Sequence, residues 1–222
     1  MTEVSEGDWL SRILFKYWRR TPSFVRSIWV VAIYLIAWSI LDIIALSFET
    51  APEISIWYPP SALDIVLILT FGWQYSPALL LNTFIHSYFV TGRNFRWELL
   101  LVFDLITTLG YSGACAFLLY KLRINPRLRQ LRDITWFVVI AALAAPLVVA
   151  LLQAVSFAYF QVIPWSKYLT YTLHYWAGDS TGIAMLAPPI LISLRRLPWI
   201  WAIAKDTVPA SAEKRCLYGE RL

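Results

Sequence analysis

The sequence predicts an all-α polytopic membrane protein, a bundle of about six transmembrane helices with both termini in the cytoplasm. Three observations predict this fold class. Apolar residues make up 59% of the 222 residues and charged residues only 15%, whereas about a quarter of the residues in a soluble domain are charged. The apolar residues fall in long runs, as helices that cross a bilayer require. The basic residues, finally, are distributed very unevenly among the connections between these runs.

The same composition argues against several classes of protein. A soluble enzyme, a disordered signalling tail and a nucleic-acid-binding domain all fit it poorly, although the net charge is +5. The apolar runs lack the strict alternation of a membrane β-barrel, and an open sheet cannot satisfy its edges in lipid. Cys115 and Cys216 provide neither a disulfide framework nor the spacing of a zinc site. We therefore expect no metal, no cofactor and no nucleic-acid partner.

Six apolar runs are candidate spans, because a helix of about 20 apolar residues crosses the hydrocarbon core. The first follows a basic segment, and the second opens at Pro59-Pro60-Ser61, where proline and a capping serine favour a helix start. Only Gly72 to Ser76 separates the second run from the third, which predicts a tight helical hairpin or a broken or tilted helix. The candidates cover approximately residues 27–48, 59–72, 76–90, 97–120, 134–160 and 168–194.

Orientation follows from the basic residues, because cytoplasmic connections are enriched in Lys and Arg. With the amino terminus inside, six spans return the carboxyl terminus to the cytoplasm, and sixteen of the nineteen basic residues then lie in cytoplasmic segments. Only Arg93, Arg96 and Lys167 remain outside. We predict a bacterial inner-membrane protein with three parts: a basic segment (1–26), a transmembrane bundle (27–194) and a disordered tail (195–222).

Polar groups at membrane depth are the first candidates for function, because charges there are costly. Asp64 follows the predicted helix start, so it is either a carboxylate that caps the first turn near the outer surface or a ligand or proton site. Asp104 and Asp42 lie deeper in their spans, either as functional acids or as neutral or hydrogen-bonded ones. Asn82 and His86, in the third run, are secondary candidates with Asp42.

The richest cluster lies in the sixth run. Gly178 and Gly182 stand four residues apart, so they share a helix face and allow another helix to approach closely. Asp179 adjoins that contact, and Pro188 with Pro189 is expected to kink the helix. The cluster is either a ligand or switch site or a tight packing seam with a satisfied acid. Its members are His174, Trp176, Gly178, Asp179, Gly182 and Pro188.

Two segments resemble those of a known family. Trp57-Tyr58-Pro59-Pro60-Ser61-Ala62 is similar to the Trp-Pro-Pro-Ser-Gly stretch of the first-type membrane-associated sensor domains, the MASE family. Trp176-Ala177-Gly178-Asp179-Ser180-Thr181-Gly182, with Pro188 beyond it, resembles that family's Trp-x-Gly-Asp-x-x-Gly segment. Tyr58 is an insertion relative to the family pattern, and Ala62 stands where the family has glycine.

The resemblance implies a sensory input domain and not an enzyme. Such domains usually precede a histidine kinase or a diguanylate cyclase, so we expect a short or truncated form that signals to such a partner. The bilayer is the other partner, and a homodimer is left open. The proposed ligand or switch residues are Asp64, Asp104, His174, Trp176, Gly178, Asp179, Gly182 and Pro188. The same acids allow a small proton- or cation-coupled transporter or channel as the alternative.

Overall fold

The computed structural model describes residues 23–51, 54–85 and 96–194. The predicted tail at 195–222, nearly all of the basic amino-terminal segment and the candidate His86 lie outside these residues. Helices dominate the described chain, as predicted. In chain order they are α1 (Ser23–Leu46), α2 (Pro60–Phe71), α3 (Ser76–Leu79), α4 (Asn82–Ile85), α5 (Trp97–Ala116), α6 (Leu131–Trp136), α7 (Ala145–Tyr159) and α8 (Tyr168–Leu194).

Within the described residues, four helical segments are long and apolar enough to cross a bilayer. They are Phe24–Leu46, Trp97–Lys121, Leu131–Tyr159 and Trp165–Leu194, and they coincide with the first, fourth, fifth and sixth predicted spans. Two of them contain wider π-helical stretches, Phe117–Lys121 after α5 and Phe137–Ala144 between α6 and α7. The predicted multi-pass helical bundle is confirmed.

The second and third predicted spans are not complete helices. Helix α2 has 12 residues, which gives it a length of about 18 Å, well short of the roughly 30 Å of the hydrocarbon core. A 3₁₀ turn (Trp73–Tyr75) follows α2, and the described part of the third run, residues 76–85, contains α3 and α4 with a break between them. The expected hairpin therefore forms with a broken second arm.

A short β-hairpin departs from the prediction of a purely helical chain. Strand β1 (Glu49–Ala51) pairs antiparallel with β2 (Ile54–Ser55), directly after α1. The hairpin continues into non-helical residues that lead to α2. Because the hairpin pairs its own strands and β2 packs against α8, this stretch satisfies part of its backbone within the protein.

The core lies where α8 meets α7 and α2, and where α5 packs against α7 and α2. Large apolar side chains also cover the outside of the bundle, most clearly along α1, as expected of a surface in contact with lipid chains. Examples on α1 are Phe24, Ile28, Trp29, Ile33, Ile36, Ile40 and Ile43. An apolar outside leaves the polar residues of the bundle in its interior.

Candidate functional site

Acidic side chains are the most deeply buried charged groups among the described residues of the bundle. Five aspartates of the described chain are buried, namely Asp42, Asp64, Asp104, Asp133 and Asp179, each 3% exposed or less. No Lys or Arg of the described chain is buried to that degree. Four of these aspartates lie on α1, α2, α5 and α8, which surround one polar core. We call these four aspartates, Asp42, Asp64, Asp104 and Asp179, the aspartate core. The name includes their hydrogen-bond partners Tyr34, Tyr58, Tyr111 and Asn82.

Asp64 is bound by side chains from two other helices. Its Oδ1 accepts a hydrogen bond of 2.6 Å from the Tyr34 hydroxyl and a longer one of 3.4 Å from the Asn82 amide. Asn82 also donates to the Tyr34 oxygen at 2.6 Å. Tyr34 is at the middle of α1, so Asp64 lies at a similar depth within the bundle, far from either surface.

Asp179 has a matching arrangement on α8. Its carboxyl accepts a hydrogen bond from the Tyr111 hydroxyl of α5. Ser61, at the start of α2, donates to the backbone carbonyl of Asp179 at 3.5 Å. The carboxyl groups of Asp64 and Asp179 are close enough for their charges to interact. The two acids therefore belong to one site, built from five helices, α1, α2, α4, α5 and α8.

Asp42 and Asp104 extend this core. The Tyr58 hydroxyl donates to Asp42 at 3.1 Å. Asp104 is close enough to Asp64 for their charges to interact. Asp104, Thr108, Tyr111 and Cys115 are buried along α5, three or four residues apart, so they share one helix face. The thiol of Cys115 is fully buried and faces the Ile65 carbonyl at 3.9 Å.

Gly178 and Gly182 pack against non-helical backbone and not against another helix, which corrects the expectation from the sequence. A Cβ at Gly178 would collide with the carbonyl oxygen of Ser55, and one at Gly182 with that of Tyr58. The Tyr58 amide also donates to the Gly178 carbonyl at 3.1 Å. We call residues 55–59 the docking segment. Its position on α8 depends on the missing side chains of the two glycines.

The docking segment brings the two sequence motifs into direct contact. The motifs are about 120 residues apart in the chain, yet Thr181 donates to the Ile56 carbonyl at 3.4 Å, in addition to its bonds within α8. Non-helical backbone is stable at membrane depth only where protein covers it. The hydrogen bonds and the glycine surface of α8 provide that cover.

The interpretation of Asp64 as a cap near the outer surface is wrong. Helix α2 has no side-chain cap, and Ser61 donates to the Tyr58 carbonyl at 2.8 Å. The physical reason is that α2 begins within the bundle, where the docking segment replaces the missing helical turns. Asp64 therefore faces the interior and not the membrane surface.

The other candidates in α8 separate into two groups. Asp179, Gly178 and Gly182 meet at the core, whereas His174 is exposed and takes no part in it. Trp176 is half-buried and donates its Nε1–H to the Leu143 carbonyl at 3.0 Å, in the π-helical stretch. Helix α8 continues through Pro188 and Pro189 to Leu194. The sequence groups these residues by proximity in the chain, and the helix distributes them over different faces.

Sequence reasoning missed the tyrosines. Tyr34, Tyr58 and Tyr111 each donate to one buried aspartate, but a tyrosine in a membrane protein is more often an interfacial anchor. A signal was present in the spacing, because Tyr34, Trp38 and Asp42 stand four residues apart on α1. An aspartate one or two turns from a tyrosine, inside a span, indicates a polar face directed into the bundle.

The functional groups of the core determine which ligands it can bind and which chemistry it can perform. Carboxyl, phenol and amide groups exchange protons or hydrogen bonds with a small ligand, and they rearrange when helices shift. Among the described residues, no group of three or more His, Cys, Asp or Glu is arranged to hold a metal ion. The Cys115 thiol is packed inside the core and fully buried.

Comparison with known proteins identifies the family. The family model MASE1, a membrane-associated sensor domain, matches residues 26–202. No curated protein and no solved structure shows significant similarity to the chain. The matched range contains every described helix except the first residues of α1, together with both sequence motifs and the aspartate core. The chain therefore belongs to the MASE1 family and is a multi-pass membrane domain with a sensory role in signal transduction.

Proposed function

We propose that the aspartate core is the site at which this sensory domain receives its signal. A small ligand or a membrane partner acts on the carboxyl groups of Asp64 and Asp179. The observation that carries the proposal is that each of these acids, buried at membrane depth, is held by a tyrosine from a different helix. Any change at an acid therefore alters a contact between helices, which is what a switch requires.

The signal leaves the core through α8 in this proposal. Asp179, Gly178 and Gly182 connect the core and the docking segment to one helix, which continues to Leu194. Pro188 and Pro189 remove backbone hydrogen bonds from this part of α8, because proline lacks an N–H. The two halves of α8 can thus change their relative direction at low cost and move the end of the helix.

The remaining elements of the proposal concern location and partners. The domain lies in the bacterial inner membrane with both termini in the cytoplasm, because that orientation places sixteen of nineteen basic residues inside. The end of α8 then acts on a histidine kinase or a diguanylate cyclase. A dimer of the domain gives such an output enzyme the symmetry that it needs.

Substitution of Asp179 tests the proposal. In a fusion of residues 1–222 to a reporter output domain, we expect Asp179→Asn to abolish or lock the response, because the amide cannot reproduce the carboxyl's proton chemistry. His174→Asn is the matched control, since His174 is on the same helix but exposed, and it should leave the response unchanged. The response is measured as reporter activity per inserted protein.

Two outcomes contradict the proposal. One is an unchanged response of Asp179→Asn and Asp64→Asn at normal membrane levels. The other is uptake of protons or cations by proteoliposomes that depends on Asp64, which would favour a transporter instead.

A further inference from the structure

Asp64 and Asp179, two acids of the aspartate core, are each at most 3% exposed. Their carboxyl groups accept hydrogen bonds from the hydroxyl groups of Tyr34 and Tyr111 and from the Asn82 amide, none of which carries a positive charge. Several ionised carboxylates cannot coexist in a medium of low dielectric without compensation. A proton that binds to one of these carboxyl groups removes its charge and thereby this cost.

Asp64 lies among other titratable groups of the described chain, and its charge acts on them or theirs on it. They are Tyr34 from α1, Tyr58 from the docking segment, Asp104, Tyr111 and Cys115 from α5, and Asp179 from α8. None of these groups carries a positive charge when ionised. Tyr34 and Asn82 approach Asp64 as hydrogen-bond donors.

A second observation is that the arrangement around Asp64 lacks one hydrogen-bond donor. The Oδ1 atom of Asn82 is a buried acceptor with no hydrogen-bond donor, and Asn82 is 4% exposed. An ionised Asp64 has no proton with which to satisfy Asn82, but a protonated Asp64 does, because it gains one O–H donor.

We propose that Asp64 is a proton-binding site and that Asn82 responds to its protonation. A proton from solvent adds to the carboxylate oxygen of Asp64, with no electron transfer. The new O–H donates to the Asn82 amide oxygen, and the amide turns away from the arrangement in which its nitrogen donates to Tyr34 and Asp64. The proposal rests on the proposed function, since it names the proton as the ligand of that sensory site.

Infrared difference spectroscopy tests this inference on the full chain in lipid nanodiscs. We expect a step to lower pH to produce the carbonyl stretch of a protonated, hydrogen-bonded carboxyl group, and Asp64→Asn to remove one component of it. Asp133→Asn is the control, because Asp133 is equally buried but lies outside the core, and it should keep that component. Sodium chloride and choline chloride at constant pH should give identical spectra.

A second variant keeps Asp64 and tests the inference even if Asp64→Asn fails to fold. Tyr34→Phe removes a donor that favours the ionised carboxylate, so the midpoint of the Asp64 component should move by about one pH unit to higher pH. The absence of any component that depends on Asp64 overturns the inference, and so does a change caused by sodium at constant pH.

The two proposals fail separately. If Asp179→Asn abolishes signalling while Asp64 does not titrate, the sensory site stands and its ligand is not the proton. If Asp64 titrates but no substitution in the core changes signalling, proton binding stands and the sensory role of the core does not.

Discussion

At the scale of single residues, the core uses tyrosine where a soluble protein often uses arginine or lysine. Tyr34, Tyr58 and Tyr111 donate to Asp64, Asp42 and Asp179 in turn. A tyrosine hydroxyl satisfies a carboxyl group without adding a charge. Each acid can therefore gain or lose a proton, whereas a buried lysine or arginine would hold the acid permanently ionised.

Removal of one of these hydroxyls has a predictable cost. Tyr111→Phe keeps the ring in the core but deletes the donor to Asp179, so we expect the free energy of unfolding to fall by about 1–2 kcal/mol. Tyr159→Phe is the matched control, because Tyr159 is 74% exposed, and it should change stability by less than about 0.5 kcal/mol.

The measurement is unfolding of the purified protein in a detergent mixture, followed by tryptophan fluorescence. Equal stability of the two variants would mean that the Tyr111 hydroxyl contributes nothing to the packing of α5 on α8.

At the scale of elements, hydropathy predicts the long helices and not the interruption between them. Four apolar runs form helices that are long and apolar enough to cross a bilayer. The run that contains Asp64 is also apolar, but it forms a helix of only 12 residues, and the docking segment precedes it. The position of the docking segment depends on the glycines of α8, about 120 residues away in the chain. No local sequence pattern indicates such a distant contact.

The fit of the docking segment on α8 gives a second prediction. Gly178→Ala places a Cβ against the backbone of Ser55, which cannot move aside as a flexible side chain can. We expect a loss of stability of about 2 kcal/mol or more. A cysteine introduced at Ile56, which is 58% exposed, should react faster with a maleimide in that variant, because the segment is displaced.

Gly113→Ala is the control for this substitution. Gly113 lies in α5 with nothing within 4 Å of an added Cβ, so the alanine should be neutral or stabilise the helix by up to about 1 kcal/mol. If both alanine variants behave alike, the close approach of the docking segment is not what requires glycine at position 178.

At the scale of the whole molecule, the sequence identifies the site's acids and not their partners. Asp42, Asp64, Asp104 and Asp179 stand out as charges inside apolar runs. His174 stands out in the same way but is exposed, because position in a run does not specify the helix face. Asn82 belongs to the core through its bonds to Tyr34 and Asp64, and hydropathy does not indicate which residue of an apolar run makes such bonds.

Orientation in the membrane is the last prediction. With both termini in the cytoplasm, the connection at Gln130 lies inside and the one at Lys167 outside, and both residues are exposed. In a background with Cys216→Ser, a cysteine at 167 should react with a membrane-impermeant maleimide in intact cells, and a cysteine at 130 only after permeabilisation. The physical reason is the cost of moving clustered cations across the bilayer, which holds the basic connections inside. The opposite labelling pattern would place the end of α8 outside the cell, where no cytoplasmic enzyme could receive its movement.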